Sequence, residues 1–149
     1  RDRLRSRGLG DVYKRQVAKG KEIGISMIST NKADVIFSFA SGVDAGVREA
    51  CQSADNVYFI AQPSESHDTA PDITVTSIIQ SNEALIYHAM ETAANGTFKG
   101  GYYIAGFEDG GTCSLGVFGD FFDADKQAKV NDVINKIKSG EIDCDNYAK

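Results

Sequence analysis

The chain is poor in the side chains from which metal and redox sites are built: three cysteines and two histidines in 149 residues. Cys51, Cys113 and Cys144 show no C-x-x-C spacing and have no paired histidines, so no zinc or other metal site is expected. With an odd number of thiols at least one stays free. Cys51 and Cys113, set among small and apolar neighbours, are expected as buried thiols. Long apolar runs are also missing. None approaches the roughly 18 residues needed to cross a bilayer, so no transmembrane helix is expected. The nucleophile elbow G-x-S-x-G, a Walker loop and paired catalytic carboxylates are all absent. Catalysis therefore has no support in the sequence, no catalytic residue is proposed, and no cofactor is expected.

Basic charge is scarce outside one segment. The opening residues, RDRLRSRGLGDVYKRQ, hold Arg1, Arg3, Arg5, Arg7 and Arg15, five of the six arginines of the chain. That segment has six basic and two acidic side chains, whereas the remainder has 10 basic and 19 acidic ones, a net charge of −9. Such a body repels phosphate backbones, so it is not expected to bind nucleic acid. The segment forms no apolar face at any period, and it lacks the apolar stretch of about 7–15 residues that a secretory signal needs. Read back into codons, DVYKRQ is what GATGTGTATAAGAGACAG encodes, and SRGLG is what TCTCGTGGGCTCGGA encodes. Joined, these resemble a transposon-end adapter used to prepare sequencing libraries. Residues 1–16 are therefore expected to be translated adapter rather than evolved protein. Natural sequence would begin at Val17, with an N-terminal portion missing before it.

From Val17 there is room for one domain. The period of KGKEIGISMISTN fits two structures. Ile23, Ile25 and Met27 alternate as in a strand, while Ile23, Met27 and Ile28 share a helix face, against which Gly24 counts about 1 kcal/mol. ADVIFSFA (Ala33–Ala40) reads as a buried strand, GVREACQSA as a short helix, and Val57–Ala61 and Ile73–Ile79 as two more strands. Both prolines lie in the polar loop QPSESHDTAPD. Ser81 can cap a helix over Asn82–Asn95, with Leu85, His88, Ala89, Thr92 and Ala93 on one face and Gly96 past its end. Strands are expected at Tyr102–Phe107 and Cys113–Phe118. A last helix begins at Asp123, with Val130, Val133, Ile134 and Ile137 at helical spacing and Gly140 at its end. Buried-type strands alternating with crossover helices give an α/β fold with a mainly parallel sheet flanked by helices.

Two loops could hold a ligand. SGVDAG follows a strand and opens a helix: Gly42 and Gly46 let backbone approach closely, and Asp44 can accept from ligand hydroxyls or cap the helix. QPSESHD follows the second strand and puts Gln62, Ser64 and Glu65 at a carboxyl end, where open α/β sheets bind ligands; a merely solvated loop has the same composition. His67 lies there without a metal-type partner and is expected to be exposed. His88, on the apolar face of its helix, is expected as a satisfied core histidine. Asp123/Asp125 and Asp143/Asp145 flank helix ends, as capping and solvation would place them.

The stretches AKGKE (Ala18–Glu22), ADVIF (Ala33–Phe37), SGVDAGV (Ser41–Val47), APDITVTSII (Ala70–Ile79), NGTFKGGYYIAGFEDGG (Asn95–Gly111) and IKSGEI (Ile137–Ile142) occur in one order and spacing. In these the chain, from Val17 to about Asp143, resembles the C-terminal half of the basic membrane protein family. These are purine-nucleoside-binding lipoproteins of ABC importers. The resemblance implies the C-terminal part of a type I periplasmic-binding-protein fold, a hinged clamp closing on a ligand, and it implies a helix for KGKEIGISMIST. It also implies a non-enzyme, lipid-anchored or periplasmic outside the cytoplasmic membrane, whose partners are a nucleoside or sugar-like solute and an ABC permease. The membrane would be reached only through a lipid anchor on the missing N-terminus. The family pattern G-G-x-G stands here as Ser41-Gly42-Val43-Asp44. Its ribose-contacting acid falls at Pro63, followed by Ser64 and Glu65, and a lysine after the T-S pair is replaced by Gln80. The expected ligand contacts are Ser41, Gly42, Asp44, Gln62, Ser64, Glu65, Ser77 and Gln80. The other reading is a ligand-sensing domain of a transcription regulator or receptor with the same fold; a flavodoxin-like enzyme lacks any catalytic set. If a lobe is missing, residues 17–149 alone should expose apolar surface and bind ligand poorly.

Overall fold

Side-chain period decides the sheet. In the computed structural model, which describes residues 9–103, 105–107 and 112–144, four strands pair in chain order. They are β1 (Val35–Phe37), β2 (Tyr58–Ala61), β3 (Thr74–Gln80) and β4 (Cys113–Leu115). β1, β2 and β3 run parallel, with Ile36 opposite Phe59 and Ile60 opposite Thr76. β4 is antiparallel to β3, with Ser114 opposite Ile79. The helices are α1 (Leu9–Ser29), α2 (Asp44–Gln52), α3 (Asn82–Ala94) and α4 (Ala124–Lys138). The expected mainly parallel α/β sheet is present.

The segment with two possible periods is helical, because its glycines make a helix crossing. A Cβ at Gly20 would meet the Val43 carbonyl oxygen, and one at Gly46 would meet that of Val17. At Gly24 it would come to 2.7 Å from the Ala50 Cβ. Only without side chains do α1 and α2 approach this closely, so packing outweighs the poor helix propensity of glycine. Beneath the crossing, Val47 and Cys51 of α2 and Met27 and Ile28 of α1 pack on Ile36, Phe59 and Ala61 of the sheet and on Val57, just before β2. Cys51 is fully buried, as expected; Cys113 is only half-buried.

The later helices are placed by their caps. The Ser81 hydroxyl accepts from the Ala84 amide (3.1 Å), and Asp123 accepts from the Lys126 amide (2.8 Å). Gly96 (φ +69°) and Gly140 (φ +76°) follow the helix ends in the left-handed conformation. Neither α3 nor α4 buries a residue, and Ile86, Tyr87 and Met90 of α3 are more than 60% exposed.

Four expectations are corrected. The buried strand expected at Ala33–Ala40 keeps only Val35–Phe37, and of these only Ile36 is buried, because Val35 and Phe37 point to the other face of the sheet. Tyr102, Tyr103, Ala105 and Gly106 form no strand, and Ile104 lies outside the described residues; the edge of β3 is already taken by Cys113–Leu115. The strand at Cys113–Phe118 ends at Leu115, because from Gly116 the chain turns to hydrogen-bond with Glu65. His88 is not a core residue. It is half-buried on a helix that buries no residue, and its ring stacks on Tyr103 with centroids 4.1 Å apart. Asp145 lies outside the described residues.

Candidate functional site

Because β1, β2 and β3 are parallel, their carboxyl ends at Phe37, Ala61 and Gln80 share one edge of the sheet. All the expected ligand contacts lie at this edge or on the turns leaving it.

After β1 the chain enters a 3-10 turn, Ser41–Val43, with Ser41 in the left-handed region (φ +52°) where few non-glycine residues sit. Asp44 fixes this turn. Its Oδ1 accepts from the Ala40 amide (2.8 Å) and from the hydroxyl of buried Ser38. It does not cap α2, whose N-cap position is Val43 and carries no side-chain bond. Asp44 Oδ2 has no hydrogen-bond partner among the described residues. Ser41 is exposed and Gly42 half-buried.

After β2 the Gln62–Pro63 bond is cis, and the Pro63 carbonyl accepts from the Gln80 amide (2.9 Å), which fastens this loop to the end of β3. Gln62 is half-buried, and Ser64, Glu65 and Gln80 are exposed. Glu65 is the centre of the arrangement. Its Oε1 accepts from the amides of Ser66 and His67 (2.9 Å each) and from the Ser77 hydroxyl (2.8 Å). Its Oε2 accepts from the Val117 amide (2.8 Å). Removal from water pushes the carboxyl pKa up, but the donors from His67, Val117, Ser77 and Ser66 outweigh it, and the group sits below its ordinary value. Ser77 is fully buried, and its hydroxyl also accepts from the Ser66 amide (3.0 Å), so it serves Glu65 from below.

The structure thus brings Gln62, Ser64 and Glu65 together with Ser77 and Gln80. Ser41, Gly42 and Asp44 stand on the same edge, held by their own bonds. Among these eight residues Asp44 and Glu65 are the charged ones, and both are acidic. His67, expected to be exposed, is half-buried, and its Nδ1 is enclosed without a partner.

Beyond Gln80 lies a cleft of about 510 Å³ whose walls include Asn82, Tyr103 and Phe107. Sequence reasoning missed these residues and Val117. Tyr103 and Phe107 were absorbed into an apolar run that reads as strand, and Val117 acts through its backbone, which no side-chain motif signals. Among the described residues no cluster of three or more metal-ligating side chains occurs, and no helix is long and apolar enough to cross a membrane.

Comparison with known proteins gives the family. The family model Bmp, "ABC transporter substrate-binding protein PnrA-like", matches residues 6–146. Among solved structures, the chain is similar to a transcriptional activator of the comK gene from Bacillus halodurans, with TM-score 0.70 and 21% identity. That match covers 81% of this chain and 42% of the other. It is also similar to an ABC transporter solute-binding protein from Aeropyrum pernix K1, with TM-score 0.64 and 19% identity, covering 83% of this chain and 43% of the other. The chain therefore spans less than half the length of either structure, and at these identities the likeness is one of fold. No curated protein matches it. On the match across nearly its whole length, the chain belongs to the family of PnrA-like ABC transporter substrate-binding proteins.

Proposed function

We propose that this chain supplies part of the solute site of an extracytoplasmic substrate-binding protein, which passes a purine nucleoside or similar uncharged polar solute to an ABC permease. The single observation that carries the reading is the shared carboxyl edge of three parallel strands, where the residues expected to contact ligand sit. Ser41, Gly42 and Asp44 offer backbone and carboxylate groups from one loop. Gln62, Ser64 and Gln80 offer amide and hydroxyl groups from the next two, and Ser77 acts through Glu65. Asp44 Oδ2 is the acceptor for solute hydroxyls. The carboxylates of Asp44 and Glu65 disfavour a phosphorylated solute, because like charges at one edge repel. Binding closes a second lobe, encoded before Val17, over this edge. A lipid anchor on that missing part tethers the protein outside the membrane, and no chemical step takes place.

A second reading is a ligand-sensing domain of a regulator, supported by the fold shared with the Bacillus halodurans transcriptional activator. Both readings use the same edge, and the sequence encoded upstream of Val17 separates them. A lipid-attachment signal there supports the importer, and a helix-turn-helix supports the regulator.

The test is a thermal-shift screen on the protein encoded by the intact gene, with nucleosides, sugars and nucleoside monophosphates. A ligand at 100 times its Kd adds about 2.7 kcal/mol to stability, a shift of several degrees. The proposal expects that shift from a nucleoside or sugar and not from the monophosphates. Stabilisation by monophosphates alone, or by none of these, overturns it.

A further inference from the structure

Glu65 joins three separate parts of the fold. Two of its donors, Ser66 and His67, belong to its own loop, the third is Ser77 of β3, and the fourth, Val117, lies 52 residues further along the chain. Gly116 completes the fit. A Cβ at this glycine would press on Glu65 Oε2 and come to 3.1 Å from the Ser77 Cβ, while the Gly116 amide donates to the Ser77 carbonyl (2.7 Å). Glu65 turns four bonds inward, three on Oε1 and one on Oε2 beside Gly116, although the residue lies at the surface. An acid waiting for a solute hydroxyl would keep an oxygen open, as Asp44 does with Oδ2.

We infer that Glu65 is a positioning residue: its carboxylate locks the loop after β2 to the segment after β4, so that Gln62, Ser64 and Gln80 stand as one fixed set at the sheet edge. The use of that set rests on the solute-binding reading above; the lock itself does not.

The first test needs no ligand and no substitution. In ¹⁵N NMR spectra of the 149-residue chain, the amide protons of His67 and Val117, donors to opposite oxygens, follow one shared titration curve below pH 4.5, the ordinary value for a glutamate. Around the carboxylate, β3 contributes Ser77 and the segment after β4 contributes Gly116 and Val117, none of which titrates; the loop itself contributes His67. Glu65→Gln abolishes the curve at both amides, and Gly116→Ala abolishes it at Val117 while His67 keeps it. Separate curves in the wild-type chain, or no response of Val117, overturn the lock.

The second test titrates guanosine into the protein encoded by the intact gene. Glu65→Gln and Gly116→Ala each weaken binding by about fivefold or more, the size of one net hydrogen bond, and the double variant is no weaker than the worse single one. A loss in Glu65→Gln with Gly116→Ala unchanged makes Glu65 a direct contact and overturns the positioning role. If no solute binds the wild-type protein, the solute-binding reading fails, and the amide titrations still decide the lock.

Discussion

Replacing Gly46 by alanine should destabilise this chain, although alanine is the better helix former. At an open helical position the exchange gains about 0.5–1 kcal/mol. At Gly46 the new methyl group meets the Val17 carbonyl oxygen and would lie 2.6 Å from the Lys21 nitrogen. Both neighbours are backbone and cannot rotate away, so α1 has to move off α2. Overpacking of this kind costs about 1–3 kcal/mol, and the shift also loosens Met27 and Ile28 from the core beneath. The net expectation is a loss of about 1–2 kcal/mol. In urea, with a slope of about 2 kcal/mol per M, the midpoint followed by far-UV circular dichroism falls by roughly 0.5–1 M. An unchanged or higher midpoint at unchanged slope refutes the close crossing, and with it the reason the segment around Gly20 and Gly24 is a helix.

Ser81→Ala removes the cap on the Ala84 amide and should cost about 1 kcal/mol, read as a lower urea midpoint. Thiol labelling should proceed in a fixed order. Exposed Cys144 reacts first, half-buried Cys113 later, and Cys51 only as the chain unfolds; burial raises the thiol pKa of both Cys51 and Cys113. Glu65, held below its ordinary 4.5, contributes stability that is fully present above that pH and fades as pH falls through the folded-state value. Glu65→Gln should therefore lower stability at pH 7 and flatten the acid limb of a stability-against-pH curve measured from pH 6 to 3.

Most of the framework could be read from residue pattern. The runs read as strands at Ala33–Ala40, Val57–Ala61 and Ile73–Ile79 hold the three parallel strands, the first of them shortened to Val35–Phe37, and the cap signals at Ser81 and Asp123 opened helices within a residue of the expected place. Periodicity failed where tertiary contact decides. KGKEIGISMIST carries strand and helix periods together, and only the fit of Gly20, Gly24 and Gly46 into a helix crossing separates them. YYIAGF has strand composition but finds the edge of β3 occupied. His88 sits on the apolar face of a helix that buries no residue, and meets Tyr103 instead of a core. The site divided in the same way. Placing Asp44 and Gln62–Glu65 at carboxyl ends follows from chain order alone. The inward commitment of Glu65 depends on an amide far along the chain and on a glycine that leaves room for an oxygen, and neither is a motif.

Calorimetric titration of guanosine into the intact gene product, wild type against Asp44→Asn, addresses the central claim most directly. Micromolar binding by the wild type and a loss of about tenfold in the variant, close to 1.4 kcal/mol, are the results expected if the open oxygen of Asp44 meets a solute hydroxyl at this edge. Equal affinity in the two proteins, or tight binding that survives in the 149-residue chain alone, would contradict the account.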